Sequence, residues 1–187
     1  MAEKILRIFT IIVIGITSFG LLIGGSYIYK QFIFTDPLEK SLLKMETVKI
    51  SDFTQNEKSL YLTAEFNSSE ELQPNFYLLI NQIQEERNNS LENCVVEIKN
   101  NTHNKELASF LKAAKLPLYE AINTGLFTAL PEQLASLSQE DKITYDLELD
   151  NQFIFITANI GNDYAHLIIN NRDNPLKLIT AIGEEYI

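Results

Sequence analysis

Apolar positions fall into two regimes along this chain: one unbroken run near the start, then a succession of short periodic segments. From Ile8 to Tyr29 there are 22 residues without a charge, IFTIIVIGITSFGLLIGGSYIY. At about 1.5 Å rise per residue such a run spans roughly 33 Å as a helix, against a bilayer hydrocarbon core of about 30 Å. Tyr27 and Tyr29 close the run and Phe32 and Phe34 follow it, as in an aromatic belt at a membrane interface. A cleaved signal peptide has a shorter apolar stretch and a small-residue cleavage site. This run ends instead on Ser26-Tyr27-Ile28-Tyr29. The pattern predicts an uncleaved single-pass signal anchor over 8–29, after a tail of residues 1–7. A juxtamembrane linker and helix over 30–45 then leads to a soluble domain over 46–187.

The periodic segments predict an α+β domain. Asp36 to Met45 has a helix-start signature, with Asp36 as cap, Pro37 in the first turn and Glu39 three residues after the cap. Val48 and Ile50, then Leu60, Leu62, Ala64 and Phe66, alternate with polar neighbours on either side of the turn Gln55–Lys58, which is the period of an antiparallel hairpin. Leu72, Phe76, Leu79 and Ile83 lie at helical spacing, with Ser68 and Glu71 fitting a capping box. Cys94 to Lys99 reads as a strand. From Asn104 a 3.6-residue period runs through Pro117 to Gly125, as one kinked helix or two pieces. Pro131 to Leu137 adds another turn or two. Three strands follow in a meander: Ile143 to Leu149, Phe153 to Thr157 and Tyr164 to Ile169. Leu176, Ile179 and Ile182 suggest a short closing helix. The resulting order, β-β-α-β-α-β-β-β, predicts one antiparallel or mixed sheet with helices on one face.

Charge narrows the partners. The net charge is −10, and only Glu3, Lys4, Arg7 and Lys30 precede Asp36, so 12 Lys+Arg face 24 Asp+Glu in the remainder. A domain this acidic repels phosphate backbones, so nucleic acid is not an expected partner. Lys4, Arg7 and the terminal amine favour a cytoplasmic tail, whereas Lys30, Lys40, Lys44 and Lys49 pull the other way. A short charged tail before a hydrophobic run behaves as a signal anchor, which puts the large domain outside the cytoplasm. Gly20 and Gly24 form a G-x-x-x-G spacing that lets two membrane helices approach, a route to a homo-oligomer.

Chemistry is sparsely represented. The single cysteine, Cys94, begins an apolar strand and reads as a small core residue rather than a nucleophile. Of two histidines, His103 sits in a polar loop. His166 lies in a strand three residues after Asp163, and a base with an orienting carboxylate forms there only if Asp163 folds back from its turn. Asn159, Gly161, Asn162 and Asp163, and separately Asp146, Glu148 and Asp150, faintly resemble calcium-loop spacing without matching it; hairpin turns use the same residues for backbone reasons. Glu70-Glu71 and Glu85-Glu86 read as solvated ends of a helix. Asn67, Asn88 and Asn100 begin N-x-[ST] triplets and mark polar loops. No phosphate loop, serine-hydrolase elbow or paired-histidine metal motif is present.

These readings assign no catalytic, cofactor or metal residue. They point to a membrane-anchored, non-enzymatic binding or structural module acting through a protein partner at the membrane surface or envelope. The alternatives are a ligand-sensing or solute-binding accessory domain, with a pocket beside the Pro117 helix lined by Tyr145, Phe155 and His166, and a hydrolytic enzyme built around Asp163 and His166.

Overall fold

The computed structural model describes Gly15, residues 17–20, and residues 36–187 except 57, 68–70, 139–141, 172–173, 183–184 and 187. The chain divides into two units, Met1–Lys40 and Ser41–Ile187. In the first, Gly15 and residues 17–20 are helical and exposed. Most of the expected anchor over 8–29, including Gly24 and the flanking aromatics, lies outside the described residues. Among the described residues no helix is long and apolar enough to cross a membrane. Helix α1, Asp36–Leu42, is shorter than the sequence suggests.

The second unit is a mixed α+β fold with two sheets. Strands β1 (Val48–Gln55) and β2 (Leu60–Phe66) form the expected hairpin, from Val48 opposite Phe66 to Gln55 opposite Leu60, with a bulge between Ile50 and Asp52. Its turn is organised by Asn56, whose Oδ1 accepts from the backbone N–H groups of Lys58 and Ser59 at 3.0 and 2.8 Å, an Asx-type turn. Helix α2 (Leu72–Glu86) then crosses to β3 (Cys94–Asn100), which lies parallel to β2. Ser68, half of the expected capping box, lies outside the described residues. Glu71 takes a left-handed conformation (φ 60°) and makes no side-chain cap bond.

Helix α3 (Lys105–Thr124) is a single helix with Pro117 inside it. Asn104 caps its start, accepting from Glu106 N at 3.0 Å and Leu107 N at 3.4 Å. Gly125 ends it at φ 73°, a conformation that costs a residue with a Cβ. A short 3₁₀ turn, Phe127–Ala129, leads into α4 (Leu130–Leu137). Strands β4 (Thr144–Leu149), β5 (Phe153–Ile160) and β6 (Asp163–Asn170) form the meander.

Two expectations are corrected here. The meander forms its own three-stranded sheet, β4-β5-β6, instead of extending the first. The closing segment is a strand, not a helix: β7 (Lys177–Ile182) pairs parallel with β3, and β8 (Glu185–Tyr186) pairs antiparallel with β7, giving the order β1-β2-β3-β7-β8. The three-residue spacing of Leu176, Ile179 and Ile182 fits a helix, but the unpaired side of β3 sets the outcome, because a buried strand must satisfy its backbone groups.

The helices accordingly do not share one face of one sheet. Phe76 of α2 lies between the sheets, with its ring 6.5 Å from Phe66 of β2 and 5.0 and 5.6 Å from Phe153 and Phe155 of β5. On the other side of the second sheet, α3 and α4 bury Leu107, Phe110, Leu111, Ala114, Leu118 and Leu134 against Ile154, Ile156, Ala158, Ala165 and Leu167. Strand β5 is therefore covered on both faces, which is why Phe153 to Thr157 is apolar without alternation.

Candidate functional site

Of the polar residues singled out from the sequence, His166, Asp163 and Asp150 are engaged in structural bonds. His166 is 1% exposed. Its Nδ1 lies 3.0 Å from Thr157 Oγ1, directly across the β5–β6 ladder, and its ring stacks edge-on to Phe66 at 6.1 Å. Asp163 pairs with Ile160 and His166 with Thr157, so the two side chains leave β6 on opposite faces. Asp163 is exposed and accepts from Asn104 Nδ2 at 3.2 Å. The structure thus does not bring this pair together. His103 is exposed. Cys94 is buried, and burial raises its thiol pKa more than the nearby Arg87 charge lowers it, which disfavours the thiolate.

Tyr145, Phe155 and His166 do not line a common cavity. Tyr145 faces α3 and α4, with its ring 5.8 Å from Phe110 and its hydroxyl donating to Pro131 O at 2.8 Å. Phe155 and His166 lie on the opposite face of the sheet. The space between α3 and the sheet is filled by the apolar core.

Asn100, which the sequence reads as the start of a polar loop, instead ends β3 and is 3% exposed. Its Oδ1 accepts from His166 N at 2.5 Å, and its Nδ2 donates to His166 O and to Ala181 O, each at 3.0 Å. One side chain thus joins the two sheets through backbone groups of β6 and β7. Its only sequence signal is position, as a short amide at the end of an apolar strand.

Asp150 performs a similar task at the β4–β5 turn. Its Oδ1 accepts from the N–H groups of Gln152 and Phe153 at 2.7 and 2.8 Å. Its Oδ2 accepts from Tyr77 Oη at 2.7 Å and Gln73 Nε2 at 2.8 Å, tying the turn to α2. Burial pushes its pKa up, but these four donors outweigh burial and hold it below the usual carboxylate range. Burial, then the hydrogen bond and charge of Asp150, push the Tyr77 hydroxyl well above its ordinary range. Glu148 is held above its usual value by burial first and by Asp146 second, with the Gln73 N–H acting against both. Asp146, Glu148 and Asp150 are therefore not a ligand set, since Asp150 is turned to α2. Among the described residues no three His, Cys, Asp or Glu side chains converge as a metal site.

On the first sheet, Lys49, Asp52, Thr54 and Lys177 are exposed, so the face they share is turned outward. At its centre Glu97 is buried and accepts a hydrogen bond from the Tyr61 hydroxyl. Glu65 sits 3.8 Å from Lys49.

The sheet edges differ. Strand β1 is bulged and β8 has two residues, both features that discourage further pairing. The outer side of β6 is capped at its middle by Asn100. Strand β4 is regular, paired with β5 over six consecutive residues from Thr144 opposite Asn159 to Leu149 opposite Ile154. Among the described residues no strand pairs with its other side. The polar bonds of Asn100, His166 and Asp150 and, among the described residues, the unpaired edge of β4 mark a mixed α+β domain of two sheets. No protein-family model matches the chain, and no curated protein or solved structure is significantly similar to it.

Proposed function

We propose that this chain is a non-enzymatic binding module, tethered to a membrane by residues 8–29 and acting through a protein partner at the membrane surface or envelope. The observation that carries the reading is the regular edge of β4, unpaired among the described residues, since an unpaired strand edge is a ready template for another chain. The engagement of His166 and Asp150 in structural bonds supports it, because these groups hold the fold together instead of facing a cleft. The tether rests on the 22-residue uncharged run, and the placement of the domain outside the cytoplasm rests on the short charged tail before it.

The test is in-cell crosslinking with mass spectrometry, comparing the full-length chain with an anchored control that lacks residues 46–187. A specific protein captured only by the full-length chain is the expected result. Self-crosslinks in both forms would instead identify an oligomer through Gly20 and Gly24, and no capture at all would overturn the reading. Alkaline extraction tests the tether: the chain should stay in the membrane pellet.

A further inference from the structure

We infer that the free edge of β4 takes up an extended segment of a partner protein that carries lysine or arginine at alternate positions. This rests on the tethered-binding reading and adds the partner's conformation and charge.

The ladder assigns the groups that face outward. Both backbone groups of His166 go to Asn100, so the Thr157–His166 pair is one that does not exchange hydrogen bonds across β5–β6. Alternation then turns the backbone groups of Phe153, Phe155, Thr157 and Asn159 toward β4. The bond from Asp150 N to Phe153 O, at 3.1 Å, agrees with this phase. Thr144, Asp146 and Glu148 are consequently bonded to β5, and Tyr145, Leu147 and Leu149 turn their N–H and C=O groups to the open side. These three residues present donors and acceptors about 6.8 Å apart, the two-residue repeat of an added strand.

The flanking side chains select what is added. Asp146 and Glu148 share one face of β4, and Tyr145, Leu147 and Leu149 share the other, with Leu149 44% exposed. A strand laid beside β4 places alternate side chains against the carboxylates and against the apolar row. Burial first and the charge of Asp146 second hold the Glu148 pKa up, against the Gln73 N–H, so cations at the first set of positions lower the charge repulsion between the two carboxylates. A second copy of this chain is the wrong occupant, because β4 against β4 would bring four carboxylates onto one face.

The experiment uses the full chain in neutral detergent micelles. It is titrated with a labelled nine-residue peptide alternating lysine and valine, with two forms N-methylated at alternate residues (one of each parity), and with a glutamate-for-lysine form. We expect the lysine peptide to bind and to slow hydrogen exchange in residues 144–149. One methylated form should bind at least tenfold more weakly, and the glutamate peptide should not bind. The double variant Asp146→Asn, Glu148→Gln, checked for an unchanged urea midpoint or a higher one, should lose about tenfold in affinity and most of the salt dependence. Equal binding of both methylated forms, unchanged exchange at 144–149, or no binding would each overturn the inference. In-cell crosslinking separates this failure from that of the broader reading. A partner captured equally by wild type and double variant sinks the β4 inference and leaves the tethered module standing, whereas a wild-type chain that captures nothing counts against the module itself.

Discussion

The side-chain amide of Asn100 holds both backbone groups of His166, accepting from its N–H at 2.5 Å and donating to its carbonyl at 3.0 Å, as a neighbouring strand would. The same Nδ2 also donates to Ala181 O, so one residue closes the edge of one sheet and fastens it to the other. Asn100→Ala leaves these backbone groups unpaired in a buried setting. At about 1–3 kcal/mol for each buried group left unsatisfied, we expect a loss of at least ~3 kcal/mol. Asn100→Asp should lose a similar amount, since it turns a carboxylate toward two carbonyls. The urea midpoint of each variant measures this, and a change under about 1 kcal/mol for Asn100→Ala, the low end for a single unsatisfied group, would show that the bridge is not structural.

The β4–β5 turn predicts two pH dependences of opposite sign. Asp150 has a folded pKa below its ordinary 3.8. Its contribution is present above about pH 4 and is lost as pH falls through the folded value. Glu148 has a folded pKa above its ordinary 4.5. The stability tied to its neutral form is present below about pH 4.5 and is lost as pH rises through the folded value. Asp150→Asn should therefore destabilise the chain at pH 7, and the gap to wild type should shrink as pH falls through the folded value. Glu148→Gln should stabilise it modestly at pH 7 and have no effect at pH 3. Urea midpoints across pH 2–8 check both.

Pro117 sits inside α3 without a backbone N–H to donate. An interior proline costs a helix about 3 kcal/mol relative to alanine, part of which returns through the stiffer unfolded chain. Pro117→Ala should stabilise the chain by about 1–2 kcal/mol, raising Tm by roughly 2–8 °C for a domain of this size. A lowered Tm would mean that the proline ring is itself needed for packing.

Phe76 is fully buried and touches both sheets through Phe66, Phe153 and Phe155. Phe76→Ala removes about 3–5 kcal/mol of transfer and cavity energy, a large share of what a single domain has. Phe76→Leu should retain more than half of that loss. Near-ultraviolet dichroism and the urea midpoint of both variants test this, and equal stabilities would dismiss Phe76 as the joint between the sheets.

Most local elements are legible in the order of side chains. Period-two alternation marks β1, β2 and β4, the 3.6-residue period with Asn104 and Gly125 bounds α3, and the unbroken apolar stretch at Phe153–Thr157 reflects burial on both faces of β5. Parity along β6 likewise puts Asp163 and His166 on opposite faces of their strand, three residues apart at a period of two. What the tertiary structure alone decided is which strands are neighbours. Alternation states which side chains share a face but carries nothing about the partner across the ladder, and β7 lies 77 residues beyond the end of β3 when it pairs with it. The closing segment becomes a strand because the open side of β3 must be satisfied, Asn100 becomes a bridge because β6 and β7 come within reach of its amide, and among the described residues β4 keeps an unpaired edge because the meander ends there. Each outcome depends on backbone groups meeting across long separations, and no local pattern of side chains encodes that.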